Sequence, residues 1–324
     1  MKVSVVIRTH NEEEHIGKLL SGILEQTIKD IETIIVDSGS TDATIAIASR
    51  YPVRILKIAK EEFSFGRSLN IGCRQAQGEI IVLASAHIYP VCKDWLENLL
   101  KPFGDAKVAL VYGKQRGNEE TGFSENQIFR RWFPDESDHG QSHAFCNNAN
   151  AAVRKSVWMK IDYNETLTGL EDLDWAKRTM EAGYKIVYSS DAEVVHIHNE
   201  RPLQIYNRYR REAIALKAIY PQEKFSFWNF CRLFLLNSLS DFYNAFLDKS
   251  FRRNSKNIVL FRLMQFWGAY RGFSSRTEVT CQLREKFYYP NSIDRRKTDD
   301  SVSESGRMID YSDIQEQSYA RKAD

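Results

Sequence analysis

The sequence predicts an α/β protein: a mostly parallel sheet flanked by helices, with a helical extension at the C-terminus. Three observations predict it. Short β-branched runs alternate with helically spaced apolar positions through the first part of the chain. Polar clusters follow directly on the ends of those runs. From Pro202 onward, strand signals give way to long helical stretches.

Residues 3–7 form an apolar run, as a strand buried on both faces requires. Residues 12–24 carry Ile16, Leu19, Leu20 and Ile23 at helical spacing. A second strand is predicted over 31–36, and Ser40-Thr41-Asp42 offers an N-cap to a helix over 43–50. Strands over 53–58 and 80–84 enclose a helix over 68–77 that stops near Gly78. Strand–helix alternation of this kind implies right-handed parallel crossovers, with ligands beyond the carboxyl ends of the strands. A helix over 94–100 and a strand over 108–112 precede a Gly- and charge-rich stretch, 113–141, read as a long loop holding one helix over 124–132. A helix is predicted near 154–160. The helix over 171–182 ends at Gly183, which favours a left-handed cap. Two short strands, 186–189 and 193–196, complete this part. Helices over 203–219, 228–247 and 256–272 follow. The resulting division is 1–215 for the α/β domain, 216–291 for the helical region, and 292–324 for a polar tail expected to be disordered.

With 324 residues, 43% hydrophobic and 27% charged, the chain has an ordinary soluble composition and room for one substantial domain plus an appendage. The N-terminus lacks the pattern of a signal peptide. Five scattered cysteines without metal-type spacing point to a reducing, cytoplasmic compartment. The net charge of +2 hides an asymmetry: residues 201–290 hold 16 Lys/Arg against 6 Asp/Glu, a balance of +10 that leaves about −8 on the rest. The most apolar stretch, 225–247, is interrupted by Arg232, Asn237 and Asp241, so it reads as amphipathic rather than membrane-spanning. Such a helix either lies peripherally on a membrane surface, at the cytoplasmic face, or packs its apolar side against the domain. No nucleic-acid motif accompanies the basic region, and no nucleic-acid partner is expected.

Four polar constellations fall at strand ends: Arg8-Thr9-His10-Asn11-Glu12, Asp37-Ser38-Gly39-Ser40-Thr41-Asp42, Ser85-Ala86-His87, and Glu171-Asp172 with His196 and His198. Over about residues 1–200, their order and spacing resemble family 2 of the glycosyltransferases. The opening strand followed by Thr9, Asn11 and Glu12 is similar to that family's start. So are the turn at Asp37, the helix with Arg67, Asn70 and Gly72, and the segment 169–198.

The resemblance implies a GT-A fold, Rossmann-like and nucleotide-sugar-binding, and an inverting, non-processive transferase of the bacterial surface-glycan type. It implies that Thr9, Asn11, Glu12, Asp37, Arg67, Ser85 and Asn148 hold the nucleotide-sugar (a UDP-, dTDP- or GDP-sugar). It also implies that Glu171 and Asp172 are catalytic, with Asp172 the general base toward a glycan or lipid-linked acceptor. Blander roles stand beside these: Asp37 as a turn residue bonding its own backbone, Arg67 as a surface arginine, and Glu171-Asp172 as partners of a helix dipole.

One departure matters. Where the family carries Asp-x-Asp for a divalent cation, Mn²⁺ or Mg²⁺, this chain has Ser85-Ala86-His87. Three readings stay open: His87 and His198 hold the ion, His87 meets the diphosphate directly without metal, or the site is degenerate. Imidazole suits softer ions better than Mg²⁺. Degeneracy corresponds to the alternative function, a catalytically silent nucleotide-sugar-binding or scaffold protein. A nucleotidyltransferase would want a basic phosphate loop after the first strand, where Glu12-Glu13 is acidic.

Overall fold

The computed structural model describes residues 2–275 together with Ile309 and Tyr311. Expectations for 276–291 and for the rest of the tail lie outside the described residues. One mixed sheet of eight strands organises the molecule: β1 (Val3–Thr9), β2 (Ile31–Asp37), β3 (Val53–Lys57), β4 (Ile80–Ser85), β5 (Ile88–Pro90), β6 (Val108–Arg116), β7 (Asn150–Arg154) and β8 (Lys185–His196). Their order is β3-β2-β1-β4-β7-β6-β8-β5. The pairs β1–β2, β1–β4, β2–β3 and β6–β8 are parallel; β4–β7, β6–β7 and β5–β8 are antiparallel.

Alternation along β1 divides the core between two faces. Val3, Val5 and Ile7 pack with α1 (Ile16–Leu24) and α4 (Trp95–Leu100). Val6 packs with Leu69 and Cys73 of α3 (Phe65–Gln75) and, beyond them, Trp175 of α7 (Glu171–Glu181). Burial on both faces is why the run reads as continuously apolar. The remaining helices are α2 (Thr44–Ala48), α5 (Phe123–Trp132), α6 (Lys155–Trp158), α8 (Pro202–Ile219), α9 (Phe227–Leu247) and α10 (Phe251–Phe273). Two short 3₁₀ turns, Lys60–Glu62 and Lys101–Gly104, also occur.

Several elements differ from the sequence expectation. The first helix starts at Ile16 rather than residue 12, because Asn11 takes a left-handed φ of 55° and the chain turns before it winds. α3 begins three residues early, where Ser64 caps it by accepting from the Arg67 amide. β7 was not expected as a strand. The two predicted strands after Gly183 are one strand, β8, whose pairing with β6 shifts register between Gly113 and Gln115. α10 starts at Phe251, five residues before the expected start. The domain boundary expected at 215 falls inside α8. Gly183 takes the predicted left-handed conformation, φ +86°. Of the tail, Ile309 donates its amide to Val91 O and the Tyr311 hydroxyl donates to Pro90 O.

Candidate active site

The loops after β1 and β2 are stitched together. Asn11 Oδ1 accepts from the Thr41 amide at 2.8 Å, the Asn11 amide donates to Ser40 Oγ at 2.9 Å, and the Glu12 amide donates to Thr44 Oγ1 at 2.7 Å. Asp37, 2% exposed, spends its carboxylate on its own turn, accepting from the Gly39 amide at 3.1 Å and from Ser40 Oγ at 2.5 Å. Gly39 permits that turn with φ +85°. Asp37 thus fills the turn role that the sequence offers it. Thr9, at the end of β1, is 4% exposed and its hydroxyl has no partner.

α7 opens on the two carboxylates. Leu170 precedes them with φ 55°, a left-handed conformation that costs a non-glycine residue about 1–2 kcal/mol. Glu171 is buried and ion-paired to Arg8 Nη1 at 3.0 Å. Asp172 has no ion pair among the described residues. It accepts from the Leu173 amide at 2.8 Å and the Asn148 amide at 3.2 Å. Burial, reinforced by the charge on Glu171, outweighs those two amides and Arg8 and pushes its carboxyl up to about 7. Asn148 is 2% exposed and its side-chain nitrogen has no partner. The next residue joins this segment to β4, since Ala149 O accepts from the Ser85 amide at 3.2 Å. Ser85 also pairs in register with Arg8. Asp172, Asn148, Ser85 and Arg8 are thereby one connected patch, and His87 lies two residues beyond Ser85.

The imidazoles form a second cluster. His87 stacks on His196 with ring centroids 5.0 Å apart, and His196 lies edge-on to His198 at 4.1 Å. Each ring is held by its Nδ1: His87 by Glu12 Oε1 at 2.9 Å, His196 by Gln115 Oε1 at 2.7 Å, His198 by Glu125 Oε1 at 2.8 Å. Carboxylate and amide oxygens only accept, so the Nδ1 atoms carry the protons and the Nε2 lone pairs are left over. Arg208 Nη1 also lies 3.1 Å from His198 Nδ1, but a guanidinium only donates, and the shorter Glu125 contact sets the tautomer. Burial opposes the charge on Glu125, yet Arg208 and His198 outweigh it and hold its carboxyl at about 2. Burial, together with His198 and His87, keeps His196 well below the ordinary histidine range.

This donor set fits a divalent cation. The ligand atoms of His87, His196 and His198 all lie within 4.8 Å of one another. The Nε2 atoms of His196 and His198 are 2.9 Å apart, and two facing lone pairs at that separation repel unless a cation or proton lies between them. An all-imidazole set suits Mn²⁺ or Zn²⁺ better than Mg²⁺. The neighbouring group Glu125, His198 and Glu200 already contains a cation, since Arg208 binds both carboxylates.

Most of the expected site residues come together in this way. Arg67 does not: its guanidinium is shared between Glu62 at 3.4 Å and Glu165 at 3.8 Å. Gln115 and Glu125 were missed, and Arg8 and His196, though named in the polar constellations, were given no role. A charged residue inside a doubly buried strand needs a partner, which is the signal at Arg8; a histidine two residues before His198 at a strand end is the signal at His196.

The mixed sheet with flanking helices and a helical C-terminal region is the GT-A arrangement. Residues 4–162 match the model of glycosyl transferase family 2. The chain thus carries a glycosyl transferase family 2 domain over those residues. It is 28% identical over 222 residues to the O-antigen chain rhamnosyltransferase RfbN of Salmonella typhimurium, spanning 64% of this chain and 70% of that one. It is 33% identical over 204 residues to the O-antigen chain rhamnosyltransferase WbaN of Salmonella anatum, spanning 57% and 62%. The chain thus aligns with somewhat under two thirds of WbaN's length. Among solved structures it is similar in fold to the mannosyltransferase PcManGT from Pyrobaculum calidifontis, in complex with GDP-Man and Mn²⁺. That match has a TM-score of 0.57 at 18% identity and covers 90% of this chain and 88% of the other. S. aureus TarS in complex with UDP matches with TM-score 0.50 at 20% identity, covering 67% and 66%.

Proposed function

We propose that this chain transfers a sugar from a nucleoside-diphosphate donor to a hydroxyl of a glycan or lipid-linked acceptor, with inversion at the anomeric carbon. Asp172 takes the hydroxyl proton as the acceptor oxygen bonds to that carbon from the face opposite the leaving group. The carbon–oxygen bond to the diphosphate breaks, and its electron pair departs with the nucleotide. The observation that carries this reading is the division between adjacent carboxylates: Arg8 takes Glu171, and Asp172 remains a base poised near neutral pH.

Glu171 acts through position and charge, fixing Arg8 and raising its neighbour. The unpartnered Thr9 hydroxyl and Asn148 side-chain amide suit ribose or phosphate oxygens. Left dry, each buried polar group costs about 1–3 kcal/mol. His87, His196 and His198 would hold the cation, with Glu12, Gln115 and Glu125 orienting them. A divalent ion there supplies charge neutralisation for the departing diphosphate. Residues 1–215 are proposed as the catalytic unit, a boundary that falls inside α8. The two named O-antigen relatives make a rhamnosyl donor the first to try.

The test is nucleotide release across UDP-, dTDP- and GDP-sugars, comparing wild type with Asp172→Asn. Turnover confined to a donor subset and lost in the variant is expected. A variant that releases nucleotide at the wild-type rate overturns the assignment.

A further inference from the structure

Among the described residues, the side of α9 turned away from the protein is apolar and uncovered. Trp228 is 73% exposed, Leu239 61%, Tyr243 64% and Phe246 72%. Together with Leu235, these positions recur at steps of three, four and seven residues and so lie on one helical stripe. Arg232, also exposed, sits within that stripe. The opposite side carries Phe230, Ser238, Asp241 and Ala245, all buried. A soluble helix that leaves such a stripe bare has its partner elsewhere.

The charge around the stripe says what that partner is. Lys249, Arg252, Arg253 and Lys256 are exposed at the turn between α9 and α10 and on the first turns of α10. From residue 227 to 273 the only exposed acid is Asp248; the other acid, Asp241, is buried and neutralised by Arg262 at 2.8 Å. Apolar and basic side chains meet in a cleft of about 530 Å³ lined by Phe246, Leu247, Lys249, Phe251 and Arg252. A second copy of the chain docking through this face would bring no acids for those cations. An anionic lipid surface supplies both a hydrocarbon boundary for the stripe and headgroup charge for the rim. No helix among the described residues is long and apolar enough to cross a membrane, so the fit is to lying on the surface.

The hairpin is fastened to the catalytic domain. Asp241 Oδ2 accepts from Ser124 Oγ of α5 at 2.6 Å as well as from Arg262 Nε at 2.8 Å, and Asn244 donates to Gln127 Oε1 of α5 at 3.0 Å. Ser124 is the neighbour of Glu125, which holds His198. We propose that the outer face of α9, with the basic start of α10, is an interfacial docking surface for anionic phospholipid bilayers. Through α5 it fixes how the histidine cluster sits over the bilayer. This extends the proposed transfer by naming the surface on which a lipid-linked acceptor would be met, but it stands on its own observations.

The test uses the full chain with sucrose-loaded vesicles of phosphatidylcholine alone or mixed with phosphatidylglycerol. Co-sedimentation is expected only with the mixed vesicles, weakening as salt rises. The triple variant Trp228→Ser, Leu239→Ser, Phe246→Ser and the double variant Arg252→Glu, Arg253→Glu should each bind at least about tenfold more weakly. Every altered side chain is exposed, so circular dichroism and melting temperature should stay as in wild type. Nucleotide release with a water-soluble acceptor should survive in both, which separates this proposal from the catalytic one. Wild type that ignores phosphatidylglycerol vesicles overturns the proposal. So does a triple variant that binds them normally, or a wild-type dimer that the triple variant dissolves while vesicle binding stays absent.

Discussion

The two ends of the candidate site are built in opposite ways. At the carboxylate end, the working groups are neighbours in sequence, at the first turn of one helix, and their difference is local. Glu171 reaches Arg8, whereas Asp172 meets only two backbone amides and the charge beside it. At the imidazole end the groups come from far apart. His87 is held by Glu12, 75 residues away; His196 by Gln115, 81 away; His198 by Glu125, 73 away. One end is tuned by adjacency and the other by tertiary convergence. The first should tolerate little change at its own residues, and the second should feel substitutions spread over the whole domain.

The largest effect expected from this contrast is at Asp172. Replacing it with Asn keeps the shape and the helix start but removes the proposed base, and turnover should fall by about 10²–10⁴-fold. Single-turnover nucleotide release measures it. If Asp172→Asn and His87→Ala cost the same, with no difference in nucleotide affinity, the two ends do not have separate tasks.

Next in size is the spread of the imidazole end. Titration of wild type with Mn²⁺, followed by the free-ion electron paramagnetic resonance signal, should show one site per chain. Glu125→Gln, at a residue outside the three-imidazole set, should weaken it by about 10–100-fold through the orientation of His198. His196→Ala should weaken it at least as much. An undisturbed affinity in Glu125→Gln would break the claim of convergence, and absence of Mn²⁺ binding in wild type would favour direct contact of His87 with the diphosphate.

The same contrast explains what was legible beforehand. β1 to β4 announce themselves because a doubly buried strand is an uninterrupted apolar run, and Glu171-Asp172 could be found because their spacing to Gly183 and the strand beyond is local. β7 was hidden by its polar lead-in, Asn147-Asn148, and by Asn150. That residue is fully buried and spent on Trp95, Lys114 O and Ala192 O, bonds that only the folded chain defines. Gln115 and Glu125 looked like polar residues of a long loop; nothing within ten residues of either tells it to meet a histidine.

A smaller effect concerns stability and has a definite sign. Asp172 is an acid whose folded value, about 7, lies above the roughly 3.9 of an unfolded aspartate. The folded state therefore binds the proton more tightly, and stability falls as pH rises between those two values. Asp172→Asn cannot ionise, so its melting temperature should exceed that of wild type at pH 8 and approach it near pH 4, by about 2–4 °C for each kcal/mol recovered. Equal melting curves at both pH values would mean that the carboxyl is not raised.

The finest test separates the two adjacent carboxylates. Wild-type kcat/KM should rise with pH through a limb near 7, because only ionised Asp172 accepts the acceptor proton. Glu171→Gln removes the charge that helps hold that limb up, and it also frees Arg8 from its ion pair. Both changes favour the ionised form of Asp172, so the limb should move to lower pH while Asp172 is still required. The maximal rate should drop only modestly, since Gln retains the size of Glu and can still accept from Arg8. A limb that stays near 7 would locate its origin in burial alone, and one that disappears would show that Glu171, rather than Asp172, is the group titrating.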